Sequence, residues 1–455
     1  MKGERRLTTQ RYQELVEKNR RYLWNPFTQM KTYLQEEPVI IERAEGVRLI
    51  DVNGREYYDG NASVWLNVHG HNHPRLNEAI RDQLDKVAHS TLLGMGNVPA
   101  ILLAERLVQL TPERVQKVFY SDSGATAVEI GIKMAYQYWK NIGRPEKQAF
   151  ISMKNAYHGD TVGSVSVGGM DLFHSIFDRL LFDTIKVSYP YPYRYPGTEA
   201  ECRQACLDEL ESVLEKQADE IAGLIVEPMV QGAGGMIIMP PGYLSEVEKM
   251  CRKYDVLLLL DEVATGFGRT GKMFASEYEG VQPDIMTVGK KLTGGYLPVA
   301  ATLTSDEIYD AFYADPAEAK TFFHGHSYTG NQLGCAVALA NLDLYEQENL
   351  LDHVEQASKV LQEELEPVKS LPHVGEVRQL GLMTGIELVK DKETKEIYPW
   401  EMAIGTRVCR VARDKGLLTR PLDHVITFMP PLATPLDDLR KMTRILAEAI
   451  EEGLE

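Results

Sequence analysis

The chain has 455 residues, a formal net charge of −17, 44% hydrophobic and 25% charged residues, which describes a globular protein with a large core and two or three structural units. So large an acidic excess argues against a nucleic-acid partner, because neutralising phosphates takes clustered Lys and Arg. No apolar run approaches the roughly 20 residues that cross a bilayer, and five irregularly spaced cysteines suit a reducing cytoplasm better than a disulfide framework.

Residues 1–22 are polar and read as an amphipathic helix without the apolar centre of a secretory signal. Short strands punctuated by Gly46, Gly54 and Gly60 follow, and residues 1–70 are expected to pack with the C-terminal unit. From 71 to 333 apolar strands alternate with helical patterns. Val118–Tyr120 leads to a helix through Ala127–Trp139; Leu224–Glu227, a helix over Tyr243–Tyr254, Val256–Asp261 and Ile285–Val288 continue the series. Strands apolar on both faces predict an α/β unit with a mostly parallel sheet covered by helices.

After Leu333 a long helical stretch opens the last unit, 334–455. It is followed by strands Val377–Leu380 and Thr384–Val389, a helix over Glu401–Lys415, strands Leu417–Arg420 and Val425–Met429, and a helix over Leu436–Gly453. This pattern predicts a smaller α+β unit. No linker rich in Pro, Gly or Ser separates the units, so they are expected to pack closely.

Chemistry-bearing residues cluster at predicted strand ends. Lys290 follows Ile285–Val288 inside a glycine-rich turn; it is either a surface residue or an amine that desolvation makes nucleophilic. Asp261 ends four leucines, where a carboxylate needs a cationic partner: a salt bridge, a helix end or a protonated ring nitrogen. Ser123, Gly124 and Ala125 open a helix after Tyr120, and the free N–H groups there suit a phosphate, although a serine is also an ordinary cap. Tyr157, with His158 and Asp160, offers an aromatic face for a planar ring or for the core. Arg420 suits a substrate carboxylate or a surface ion pair. His69, His71 and His73 alternate in a turn with no adjoining cysteine or carboxylate cluster, so a metal site is not expected. Gly232–Gly235 lacks the context of a dinucleotide loop, and Cys202 and Cys206 read as incidental neighbours on a helix.

Together these residues resemble the class III aminotransferases, pyridoxal 5'-phosphate (PLP) enzymes of fold type I, over nearly the whole chain. The most specific stretch is Asp261-Glu262-Val263-Ala264-Thr265-Gly266-Phe267-Gly268-Arg269-Thr270-Gly271, with Pro283-Asp284 and Gly289-Lys290. The resemblance implies that Lys290 holds the cofactor as a Schiff base and that Asp261 faces its pyridine nitrogen. It also implies that Ser123, Gly124 and Ala125 hold the phosphate, that Tyr157 stacks on the ring beside His158, and that Glu227 and Gln231 lie near. Ser327, in His324–Asn331, would reach the phosphate of a partner subunit, implying a homodimer with shared sites.

Within the class, Trp24–Met30, Trp65, Tyr157–Asp160 and Thr419-Arg420-Pro421 are similar to the 8-amino-7-oxononanoate aminotransferases of biotin biosynthesis. That likeness makes Phe27, Trp65, Asp160 and Arg420 substrate contacts, with Arg420 on the acceptor's carboxylate. Phe27 and Val64 depart from members that use S-adenosylmethionine as amino donor and lean towards a lysine-using branch. Ser327 and Gln332 stand where Thr and Pro are usual. The competing reading is a broad ω-amino acid or amine:pyruvate transaminase with the same cofactor.

Overall fold

The structure, a computed structural model, describes residues 2–170 and 175–454. Its centre is a seven-stranded sheet made of β1 (Lys117–Ser121), β2 (Ala149–Met153), β3 (Ile185–Val187), β4 (Ile221–Val226), β5 (Leu257–Asp261), β6 (Ile285–Val288) and β7 (Ala300–Thr304), in the order β1-β7-β6-β5-β4-β2-β3. Six strands run one way, and only β7 runs antiparallel to both its neighbours.

Burial explains the apolar runs. Every residue of β4, β5, β6 and β7 is buried, because helices cover both faces, among them α1 (Gly124–Asn141), α2 (Glu199–Gln217) and α3 (Tyr243–Lys253). Leu258 is 0% exposed, and burying a leucine contributes about 1.5–3 kcal/mol. Because these strands are parallel, the carboxyl ends of β1, β2, β4, β5 and β6 lie on one side, where α/β sheets place their ligands.

A second sheet joins the two ends of the chain. Ile41–Glu45, Arg48–Asp51 and Glu56–Asp59 form an antiparallel meander, and Leu417–Leu418 adds in parallel to Glu56–Asp59. A third sheet holds Val374–Leu380, Met383–Leu388, Val425–Phe428 and Arg420–Leu422. Three expectations need correction. The strand expected over Leu417–Arg420 is split between these two sheets: after Leu418 the chain crosses over, and Pro421, which has no N–H to donate, sits on an edge strand as its chemistry requires. The long helix after Leu333 is two, α4 (Gln332–Gln347) and α5 (Leu350–Lys369), broken at Asn349 where φ is 48°. The helix expected from Glu401 begins at Ile404, because Ala403 has φ 44° after a short turn. Helix α4 packs its Val337, Ala340 and Leu344 on Leu76, which ties the start of the C-terminal segment to the part of the chain before it.

All five cysteines are free and buried. Among the described residues no helix is long and apolar enough to cross a membrane.

Candidate active site

A cavity of roughly 710 Å³ opens at the carboxyl ends of the parallel strands. Each strand end delivers one chemical group to its wall: Ser123 after β1, Tyr157 after β2, Glu227 after β4, Asp261 closing β5 and Lys290 after β6. His158, Asp160, Gly124, Ala125 and Trp65 also line the cavity, as do Asp122, Thr161 and Tyr296.

Lys290 begins a single turn of 3₁₀ helix, with a strained φ of 46°, a conformation that L-residues with long side chains hold only when their surroundings impose it. Its Nζ lies 4.9 Å from the centre of the Trp65 ring. Burial holds its amine below the ordinary lysine range, while Asp261 and Glu227 pull the other way. The neighbouring Lys291 points into the protein instead, donating to the carbonyls of Ala264 at 2.8 Å and Val263 at 3.4 Å. Fully buried, it is held well below its usual pKa, and it ties down the loop that follows Asp261. The two adjacent lysines therefore have different surroundings, and only Lys290 meets the cavity.

Asp261 is 5% exposed. Its Oδ2 accepts from His158 Nδ1 at 2.7 Å, and its Oδ1 accepts from the Val263 N–H and from Thr287 Oγ1, both at 3.1 Å. Thr287 stands opposite Asp261 in the pairing of β5 with β6. The partner that a buried carboxylate demands is thus a histidine, and no Lys or Arg is bonded to it among the described residues. With Nδ1–H committed to Asp261, His158 Nε2 is buried without a hydrogen-bond partner among the described residues. Nearby, Glu227 accepts from the N–H groups of Tyr157 at 3.1 Å and Gly232 at 2.9 Å, and burial pushes its carboxyl up to about 7.

At the start of α1, Ser123 caps the helix, its Oγ accepting from the Thr126 N–H at 3.3 Å, and the residue also belongs to the wall. A Cβ on Gly124 would fall 2.4 Å from Val263 Cγ1, and one on Gly159, at φ 126°, would fall 2.3 Å from Ala125 Cβ. The wall here is therefore backbone at a helix N-terminus, the arrangement that receives a phosphate. A carboxylate without a Lys or Arg partner, a desolvated amine, an aromatic face and an anion cradle on one cavity fit pyridoxal phosphate.

The remaining predicted residues are spread more widely. Tyr157 donates to Asp160 Oδ2 at 2.7 Å, and both line the cavity. Arg420 stands behind the wall, close enough to Tyr157 for the two to interact electrostatically; burial lowers its pKa, and no carboxylate is bonded to it among the described residues. Ser327 is exposed and off the wall, its carbonyl accepting from His89 Nε2 at 2.8 Å; the adjacent His326 Nδ1 lies 2.8 Å from Asp122, which is on the wall. Phe27, 58% exposed, and Gln231, buried with its Nε2 on the Lys154 carbonyl at 3.0 Å, do not line the cavity. His69 pairs with Glu348 at 3.1 Å and His71 with Asp59 at 2.9 Å. No group of three or more potential metal ligands occurs among the described residues.

Sequence reasoning missed Thr287, Val263 and Lys291. Thr287 was accessible from strand pairing, since the residue facing a buried acid across a parallel ladder is placed to hydrogen-bond it. The direction of Lys291 had no local signal.

The fold and site define a class. Residues 31–450 match the family Aminotransferase class-III, and the chain belongs to it; as in that class, its cofactor is pyridoxal phosphate. More particularly, the chain is 56% identical over 443 residues to the adenosylmethionine-8-amino-7-oxononanoate aminotransferase of Anoxybacillus flavithermus, covering 97% of each chain. The crystal structure of the enzyme of that name from Methanocaldococcus jannaschii superposes with a TM-score of 0.92 at 48% identity, over 97% of this chain and 99% of that one. The ω-transaminase of Pseudomonas jessenii, solved in complex with PMP, gives 0.93 at 34% identity over 96% and 98%.

Proposed function

We propose that this aminotransferase delivers an amino group to 8-amino-7-oxononanoate, forming 7,8-diaminononanoate. The observation that supports the reading is the buried guanidinium of Arg420, which has no carboxylate bonded to it among the described residues and lies within electrostatic reach of the wall residue Tyr157; it would receive a carboxylate at the far end of a substrate whose ketone reaches Lys290. The names of the relatives support the same acceptor.

Bound pyridoxal phosphate supplies the electron sink that lets a C–H bond beside the transferred nitrogen ionise. The chain's own residues do the rest. The start of α1, with Ser123, Gly124 and Ala125, would hold the phosphate, and Tyr157 would offer an aromatic face to the ring. Asp261, held by His158 and Thr287, would balance positive charge at the ring nitrogen. Lys290 would hold the cofactor between turnovers, and its amine, when free, would take the proton from the amine-bearing carbon of the donor and give it back during transfer. Such general acid–base work contributes typically ~10²–10⁴ in rate. One water supplies the oxygen with which the donor leaves as a carbonyl compound, its nitrogen staying behind; the acceptor's ketone then takes that nitrogen, a water is released, and the proton movements run in reverse.

For the donor, the departures at Phe27 and Val64 support L-lysine, while the relatives' names support S-adenosylmethionine. The test is a single-turnover panel of lysine, S-adenosylmethionine and alanine, followed by 8-amino-7-oxononanoate or pyruvate as acceptor. The expected result is turnover with the amino-oxononanoate and a marked preference for lysine. Arg420→Ala is expected to lower kcat/KM for that acceptor by ~10–100-fold, the worth of a charge-assisted contact, and to leave an acceptor without a carboxylate little changed. An enzyme that uses pyruvate and ignores the amino-oxononanoate is instead a broad ω-transaminase.

We further infer a cytoplasmic homodimer with shared sites, in which residues 1–70 and 334–455 form the small unit and 71–333 the large one. Exposed large apolar side chains support the dimer: Leu93 at 88%, Phe323 at 81% and Tyr328 at 64% are of the kind that association buries. Ser327 would then serve the neighbouring site. Sedimentation equilibrium is expected to give twice the mass of the chain, and a monomer that transaminates fully refutes the shared site.

A further inference from the structure

The segment that carries Val64 and Trp65 into the cavity is unlike any other wall element. Ala62, Ser63 and Trp65 have φ of 45°, 61° and 66°, and Ser63, with ψ −87°, sits near the rare γ-turn region that L-residues avoid. None of the three is glycine. Strain of this kind persists only where something over-determines it.

Asp59 supplies the constraint. It is 1% exposed and does not line the cavity. Its carboxylate accepts from the Ser63 N–H with both oxygens, at 3.0 and 2.8 Å, from the Asn61 N–H at 3.3 Å and from His71 Nε2 at 2.9 Å. His71 is itself fixed: Asn67 Nδ2 lies 3.3 Å from its Nδ1, and its backbone bridges to Gly46. Asn61 then grips the strained turn from the other side, donating to the Ser63 carbonyl at 3.0 Å and accepting from the Trp65 indole N–H at 3.0 Å. Asp59 also faces Leu418 in the parallel pairing, two residues before Arg420. One residue therefore joins the two: its carboxylate holds the loop bearing Trp65, and its backbone pairs with the strand that leads to Arg420.

We propose that Asp59 is a positioning residue for substrate selection: it holds the Ala62–Trp65 loop in its strained form, and that form sets the cavity wall beside Lys290 at a fixed place relative to Arg420. The proposal rests on the reading of Trp65 and Arg420 as substrate contacts. Asp59 touches no reacting atom, so its removal acts on substrate fit before chemistry.

The test uses the holoenzyme. Asp59→Ala is expected to raise KM for 8-amino-7-oxononanoate by on the order of tenfold or more with a smaller change in kcat, as displaced binding groups do. Amide hydrogen exchange is expected to quicken in residues 61–67 and to stay unchanged in β4 to β6. Adding Ser63→Gly, which accepts φ 61° without a Cβ penalty, is expected to recover part of the lost affinity. Asp59→Asn keeps one acceptor oxygen and serves if the alanine variant does not fold; its effect is expected to be intermediate. Exchange that quickens uniformly, or an unchanged KM, overturns the proposal. Should the wild type ignore the amino-oxononanoate, the substrate reading fails by itself, and local exchange in the variants still decides the role of Asp59.

Discussion

Lys290→Ala abolishes steady-state transamination, with an expected loss of at least ~10³ in kcat, because the change removes both the cofactor's anchor and the base that shuttles the proton. Lys291→Ala is the informative companion. Lys291 meets no part of the cavity and spends its N–H groups on the Val263 and Ala264 carbonyls. Its loss is therefore expected to lower the melting temperature and loosen the Asp261 loop while each half-reaction persists at a reduced rate. Borohydride reduction of the loaded wild type, followed by peptide mapping, is expected to place the cofactor on Lys290 alone. Label on Lys291, or full turnover by Lys290→Ala, reverses the assignment of the two lysines. A partial rescue of Lys290→Ala by a small exogenous amine is the further expectation, since a free base of similar pKa can enter a cavity of roughly 710 Å³ and take the same proton.

Four strands of the large sheet were legible in the sequence because they are apolar on both faces, and runs of that kind, too short for a helix, fit little besides a sheet covered on both sides; Ala149–Met153 and Ile185–Val187 were not. β5 and β6 are fully buried runs bounded by turn residues. β7 carries no such signal: Ala300–Thr304 has two alanines and two threonines, whose burial comes from the tight packing of α1 on that part of the sheet and not from strong hydrophobicity. The C-terminal unit is less legible for a different reason. Whether Leu417–Arg420 is one strand or two depends on which sheet edges are unoccupied when the chain arrives there, and that is a property of residues 41–59, more than 350 positions earlier. Local pattern carries no information about so distant a pairing.

The site was legible to the extent that it hangs on parallel strand ends. Ser123, Asp261 and Lys290 follow expected strands that point one way, so their convergence follows from topology; Tyr157 follows a strand, Ala149–Met153, that local pattern did not mark, and its role, like that of Glu227, rested on resemblance. Residues that reach the site from elsewhere were not derivable from topology. Trp65 arrives on a strained loop after a strand of another sheet, and Arg420 sits behind Tyr157 because a third sheet packs there. For both, resemblance to the family carried the assignment. Thr287 and Asp59 lay outside even that, since each acts on another side chain or loop and neither motif nor periodicity marks such a role.

Asp261→Asn is expected to lower kcat by ~10²–10⁴ while the protein keeps its fold and binds cofactor more weakly. The carboxylate shares its wall with the Lys290 amine and has His158 as its bonded partner, so its charge is available to hold positive charge at a ring nitrogen. An amide of the same shape keeps an oxygen for the Val263 N–H and the Thr287 hydroxyl but carries no charge, and the electron sink weakens accordingly. The substitution also sets an N–H₂ against His158 Nδ1, so the histidine must turn a lone pair towards the new amide or lose the contact, and the cofactor's absorption band is expected to shift. Thr287→Val separates aim from charge: it leaves the carboxylate ionised and removes one of its three donors, for an expected loss nearer tenfold. Equal losses in the two variants would mean that orientation alone accounts for the effect and that the charge at Asp261 is incidental. A far larger loss in Asp261→Asn, with the spectral shift confined to that variant, is the outcome the buried geometry predicts.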